Sequence, residues 1–384
     1  MKGFGKTMTP TAAYTISLIR ALMQEQPSPP VPEGISLQAL LDFSGKHSIE
    51  ALVFRALCPV VTNSEDPVWK KWEERVNLLL AQSIVQLQER DDLIKNLTAA
   101  GIDLLPLKGC CLKERYPDMN DRQMADLDIL IHPEDAASVE RFLLQRGYRI
   151  DDAYFHHTTY IKLPYIVLEI HISLLPAGDE HSAYYETVWE KAVPSRDVPR
   201  LYTLKPEDEY LFYLAHLSKH LSDGGSGLRS ILDNCIYSRC FPNMDEAYLE
   251  RELKTLGLWE LAQKVQTLSR CWFETGQAIP ESLLPLAQTV CGAGTFGSLE
   301  MRTQQRMEQL REKHRNPIAR LWAYCIPRFF RPLSVMKRQY PVLCKFPVLL
   351  PVFWVVRILS RMQDSKYSFW QHLRQVFREG GKHG

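Results

Sequence analysis

The feature that most constrains this chain is a pair of aspartates two residues apart, Asp126 and Asp128, in the apolar-flanked run Asp-Leu-Asp-Ile-Leu-Ile. The pattern predicts a strand. Side chains alternate along a strand, so both acids should project to one face, with Leu127 and Ile129 on the other. Two carboxylates held that close repel unless a cation lies between them. Hard oxygen ligands of this kind suit Mg²⁺ or Mn²⁺. A third acid lies in a second strand pattern, Tyr165–Leu174. There Ile166, Leu168, Ile170 and Ile172 share one face, and Val167, Glu169 and His171 share the other. An acid in such a strand is costly to bury without a partner or a metal, which makes Glu169 the natural third member.

Upstream, an apolar run from Ile102 to Leu107 meets Lys108-Gly109 and a short helix-compatible segment. A glycine bend at a helix start lets backbone N–H groups approach a phosphate. Lys108 is then either a phosphate contact or a strand-end lysine reaching water. Arg122 either grips phosphate or pairs with Asp118 or Asp121.

These residues resemble a known family, the uncharacterised bacterial nucleotidyltransferases of the DNA polymerase β-like superfamily. Its members carry Leu-Lys-Gly, then Arg-x-x-x-Asp-x-Asp, then Glu-x-His. The matching positions here are Leu107-Lys108-Gly109, Arg122 through Asp126 and Asp128, and Glu169-Ile170-His171. The wider superfamily usually has Gly-Gly or Gly-Ser where this chain has Gly109-Cys110, so Cys110 takes a nucleotide-binding position. The resemblance implies Mg²⁺-dependent transfer of a nucleoside monophosphate from a nucleoside triphosphate such as ATP. The acceptor it implies is an unidentified hydroxyl on a sugar, a small molecule or a protein. Asp126 and Asp128 would hold both metals, and Glu169 would ligate the one remote from the nucleotide. A metal-dependent glycosyltransferase, which also uses Asp-x-Asp, and a non-catalytic protein that kept the fold are the competing readings.

Further histidines and charges are candidates for the acceptor side of the cleft: His171, His216, His220, Arg229 and Asp233. His216 and His220, at a spacing of four, could hold zinc, but the Glu of a His-Glu-x-x-His enzyme is absent. Arg229 and Asp233 stand one helical turn apart and could simply pair. His156 and His157 read as a polar loop.

The remaining pattern predicts an α+β protein. A helical region occupies 1–97, a small mixed-sheet nucleotidyltransferase core 98–176, a helical domain 177–315 and a basic, aromatic strap 316–384. A long helix is expected from Val68 to Ala100, stopped by Gly101. A second runs from Ala136 to Arg146. Strands are expected at Ile102–Leu107, Tyr148–Ile150 and His157–Leu163, with one hairpin. Nine cysteines with no Cys-x-x-Cys pair fit a reducing cytoplasm. The opening residues hold no apolar signal core, which argues against export.

The net charge of +1 conceals a division. Residues 301–384 hold 12 Arg and 5 Lys against 3 Glu and 1 Asp, a local +13, which leaves −12 on the first 300. Residues 328–361 interleave these bases with aromatic rings. They either strap onto the acidic body or make a peripheral membrane contact, with nucleic acid the least favoured partner.

Overall fold

The computed structural model describes residues 8–295, scattered positions between 310 and 330, and residues 331–340 and 342–363. The chain begins with helices α1 (Pro10–Met23), α2 (Leu37–Lys46), α3 (Glu50–Leu57) and α4 (Pro67–Ala99). Their starts are set by side chains that accept hydrogen bonds from otherwise orphaned N–H groups. Thr9 caps α1 at Ala12 N, Ser36 caps α2 at Ala39 N, and Asp66 caps α4 at Val68 N and Trp69 N. Pro10 and Pro67 occupy first-turn positions, where the missing N–H costs nothing. As its sequence predicts, α4 stops at Gly101, whose φ is +88°.

A five-stranded mixed sheet follows, in the spatial order β1-β2-β5-β4-β3. Its strands are β1 (Leu105–Leu107), β2 (Leu127–Leu130), β3 (Arg149–Ala153), β4 (His157–Lys162) and β5 (Ile166–His171). The single turn of α5 (Gly109–Leu112) and the helix α6 (Ala136–Gln145) lie between strands. β2 and β5 run parallel, and the other three pairs are antiparallel. Two hairpins form where the pattern predicts one, because β3, β4 and β5 make a meander. β1 is half its expected length. Leu104 instead bridges to Leu201, beside a two-stranded ribbon of β6 (Val193–Pro194) and β7 (Tyr202–Thr203).

The chain then turns helical: α7 (Val188–Lys191), α8 (Pro206–Ser222), α9 (Leu228–Cys240), α10 (Glu246–Thr255), α11 (Trp259–Ser269) and α12 (Leu284–Ala293). The sheet separates two apolar cores. One face packs Leu127, Ile129, Leu168 and Ile170 against Leu93 and Leu97 of α4 and Val139 and Leu143 of α6. On the other side Leu105, Leu107 and Leu130 join a larger core of α1–α3, α8, α9 and α11, centred on Trp72, Tyr237 and Trp272. The alternation of β2 and β5 thus points Asp128 and Glu169 toward the helices of the larger core.

His47 joins the two helical regions. Its buried Nδ1 accepts the Leu228 N–H at 3.0 Å, pinning the end of α2 to the start of α9. Burial, then Lys46, pushes this imidazole down to about 4. The folded state therefore resists the proton that the unfolded chain accepts near 6.5. The His47 contribution to stability is full above pH 6.5 and falls by about 1.4 kcal/mol per unit as pH drops toward 4. Thermal melts across that range test this. His47→Gln, which keeps an acceptor but cannot titrate, should gain stability relative to wild type as pH drops through that range; a difference that stays constant with pH would refute the assignment.

Candidate active site

Sheet register assembles the site. In the parallel β2–β5 pair Asp128 stands directly beside Glu169, and across the antiparallel β4–β5 pair His157 stands opposite His171. Alternation puts Glu169 and His171 on the face that Asp128 occupies. Ligand atoms of Asp128, Glu169 and His171 lie within 4.8 Å of one another. His171 Nε2 is 2.9 Å from Asp128 Oδ1 and 3.3 Å from Glu169 Oε2.

The sequence pattern expects the close-knit set to be Asp126, Asp128 and Glu169. Here His171 takes the place of Asp126. β2 begins at Leu127, so Asp126 lies one residue outside the strand and is not held by the ladder. Its carboxyl still lines the same cleft and feels the same charges. Burial first, then Asp128, pushes Asp126 up to about 7. Burial alone would raise Asp128 too, but Lys108 and His171 hold it well below the usual carboxylate range. Those two cations are raised in turn: burial opposes their charge, and the carboxylates outweigh it. His171, expected on the face of Glu169 as a partner of the metal ligands, a substrate contact or a satisfied buried histidine, is buried beside the carboxylates.

Lys108 follows β1, whose last residue pairs with Asp128, and this brings its Nζ to 3.1 Å from Asp128 Oδ1. Its backbone has φ +48°, a left-handed conformation uncommon outside glycine. The sharp bend is thus at Lys108 and not at Gly109. Gly109 is required for another reason. A Cβ there would stand 2.9 Å from Arg122 Nη1 and 3.1 Å from Met124 Cγ. Gly109→Ala should therefore cost about 1–3 kcal/mol, read as a lowered urea midpoint at unchanged slope. A midpoint equal to wild type would show that Arg122 and Met124 move aside freely.

Cys110 does not face the cleft. Its side chain packs in the core beneath the sheet, and burial pushes the thiol up to about 12. It offers a phosphate only its backbone. Arg122 pairs with neither Asp118 nor Asp121, because Asp121 is taken by Arg55. Its fork instead meets Asp233 on α9, Nε to Oδ1 at 2.9 Å and Nη2 to Oδ2 at 3.1 Å. Tyr116 OH donates to the same Oδ1 at 2.6 Å. Arg229 makes no helical pair with Asp233. It reaches across and donates to the Gln123 carbonyl at 2.7 Å.

Most of these groups line one cleft of about 300 Å³. Lys108, Gly109, Arg122, Asp126, Asp128 and Glu169 form one wall, and His216, His220, Arg229 and Asp233 form the other. The two histidines stand Nε2 to Nε2 at 3.2 Å, so one ring donates to the other. Burial, then Lys108, keeps His216 neutral.

His156 and His157, read from sequence as a polar loop, belong to this site. His157 Nε2 is 3.7 Å from Glu169 Oε1, and its Nδ1 is 2.8 Å from His156 Nε2. The signal that could have revealed them is strand pairing, since a β4–β5 hairpin must place some residue of β4 opposite His171.

A family model described as an uncharacterised nucleotidyltransferase matches residues 33–274, a span that holds every residue of this cleft named above. No curated protein matches the chain.

Proposed function

The chain belongs to this uncharacterised nucleotidyltransferase family, and on that premise we propose that it transfers a nucleoside monophosphate from a nucleoside triphosphate to a hydroxyl acceptor. The observation that carries the reading is the register match of Asp128 and Glu169 on adjacent parallel strands, with His171 Nε2 close to an oxygen of each and both acids lining a cleft that also holds Lys108, Arg122 and Arg229. The donor set fits a divalent cation. Three carboxylates crowd one spot, and their charge is balanced here by Lys108 and His171.

Asp128, Glu169 and Asp126 would hold Mg²⁺ or Mn²⁺, and His171 Nε2 adds a nitrogen donor that suits Mn²⁺ better than Mg²⁺. A cation bound there would neutralise the triphosphate and stabilise charge on the attacking and departing oxygens. Lys108, freed from part of its pairing with Asp128, would turn to phosphate, and Arg229 adds fixed positive charge on the opposite wall. In the reaction the bond from the α-phosphorus to pyrophosphate breaks as the acceptor oxygen bonds to that phosphorus. The acceptor's proton leaves to a base. Glu169, with His157 beside it, and the neutral His216–His220 pair stand on the two sides of the cleft where such a proton could go. The mixed sheet with acids on neighbouring strands supports the resemblance to polymerase β-like enzymes.

The test is incubation with each nucleoside triphosphate labelled at the α-phosphate, Mg²⁺ or Mn²⁺, and cell extract. Label on an acceptor with matching pyrophosphate release supports the reading. Label arriving from a nucleotide sugar instead would favour glycosyl transfer. No label, together with no Mn²⁺ binding by electron paramagnetic resonance, would end the proposal.

A further inference from the structure

Among the described residues, the largest run of exposed apolar side chains lies far from the cleft in sequence. It occupies the last helix, Leu350–Gln363, and the turn before it. Val348 is 82% exposed, Val352 and Val355 are 55% exposed, and Leu359 is 54% exposed. With Val356 they recur at intervals of three and four, which gathers them into one stripe along the helix. Scattered surface valines are ordinary; a continuous aliphatic stripe marks a contact surface.

The opposite side of this helix is anchored. Arg357 is buried, Phe353 packs on Tyr340 with ring centroids 4.8 Å apart, and Trp354 Nε1 donates to the Arg331 carbonyl at 2.8 Å. Arg331 pairs with Asp152 on β3 and lies over the Tyr154 ring. The strap reading therefore holds for the inner face, where a base of the C-terminal segment meets an acid of the body. The outer stripe is a different matter, because it is held outward by those contacts.

Charge names the occupant. From Lys313 to Gln363 the sequence has ten Lys and Arg and no Asp or Glu across 51 residues. A second copy docked stripe to stripe would set the same positive segment against this one and be repelled. Nucleic acid would need a row of exposed rings for stacking; Trp322, Phe330 and Phe346 are exposed but precede the last helix, whose own rings Phe353 and Trp354 pack inward and whose exposed groups are aliphatic. An anionic bilayer meets both requirements, taking aliphatic side chains into its interface and bases at its headgroups. The helix has 14 residues, about 21 Å of length, and no described helix is long and apolar enough to cross a membrane. Such a helix lies in the plane of the interface.

We propose that the stripe Val348–Leu359 docks the protein on anionic lipid surfaces. The proposal does not depend on the reaction assigned to the cleft. The test is flotation of the full chain with phosphatidylcholine vesicles, with and without phosphatidylserine. Wild type should float with the anionic vesicles, and less so at high salt. The variant V352S/V355S/V356S changes only exposed or outward groups, and it should lose roughly tenfold or more of that binding. Folding is checked by an unchanged thermal melt. Absence of flotation in wild type, or equal flotation of wild type and variant, would overturn the proposal. So would self-association, or capture by an acidic protein, that the variant abolishes while vesicles are ignored.

Discussion

Asp128→Asn is expected to lower nucleotidyl transfer by about 10³-fold or more, on the order of 4 kcal/mol of barrier, and to leave the chain folded. Asp128 is the one group that every charged member of the cluster touches or senses: Lys108 at 3.1 Å, His171 at 2.9 Å, and Asp126 and Glu169 through repulsion. Asparagine keeps an oxygen that can accept from Lys108 or His171, so packing survives while the anionic ligand is lost. Asp126→Asn is the informative companion. The Asp126 carboxyl is pushed up to about 7, against about 4 in an unfolded chain. A carboxyl raised on folding favours the folded state only while it stays protonated, so stability falls as pH rises from about 4 through 7. In EDTA at pH 8 the Asp126→Asn protein should therefore be more stable than wild type, on the order of 2–4 kcal/mol, and the gap should close near pH 4. Added Mn²⁺ should raise the wild-type melting temperature and do little for either variant. An Asp128→Asn enzyme within tenfold of wild type would sink the assigned chemistry, whatever the melts show.

That trade between stability and charge crowding is only partly legible in the amino-acid sequence. Period-two alternation is a local rule, so it assigns Asp128 and Glu169 to faces without reference to any other strand. Their being register partners is a long-range fact, and so is the placing of His157 opposite His171. Nothing in a strand's own residues states which neighbour it pairs with. Lys-Gly reads as a bend with the glycine as its hinge, because glycine is the usual left-handed residue. Here Lys108 carries the positive φ, and the glycine makes room for Arg122. Packing needs of that sort are invisible until the partner is in place. The exposed stripe on the last helix is equally hidden. The apolar run Phe346–Val356 is too short to span a bilayer and its pattern does not say which side packs on the body; the burial of Arg357 and the contacts of Phe353 and Trp354 show it.

Asp233→Ala should be the most destabilising single change in the cleft, costing about 3–5 kcal/mol. Asp233 and Arg122 are 111 residues apart, and their paired hydrogen bonds join the loop before β2 to α9. Three cations, Arg122 and Lys113 buried and Arg229 half-buried, crowd this spot. Arg122 is joined by Arg229, pushed down to about 10 by burial and Arg122, and by Lys113, pushed down to about 8 by the same two causes. Lys113 Nζ spends one of its donors on the Arg122 carbonyl at 2.7 Å. Removing Asp233 strips Arg122 of its paired carboxylate and the Tyr116 hydroxyl of its acceptor. A buried pair of this type is commonly no more stable than well-packed apolar residues, because desolvation offsets the attraction; what is costly is half a pair. The double change Arg122→Met, Asp233→Leu should accordingly recover most of the loss in urea unfolding. It also separates two roles for Arg122. If the arginine only fastens the sheet to α9, the refastened double variant will transfer nucleotide at close to the wild-type rate. If its remaining Nη1 meets phosphate beside Gly109, the double variant will be stable and slow, with a raised KM for the triphosphate. Should Asp233→Ala itself unfold within about 1 kcal/mol of wild type, the latch between sheet and helix is not what holds this wall of the cleft in place.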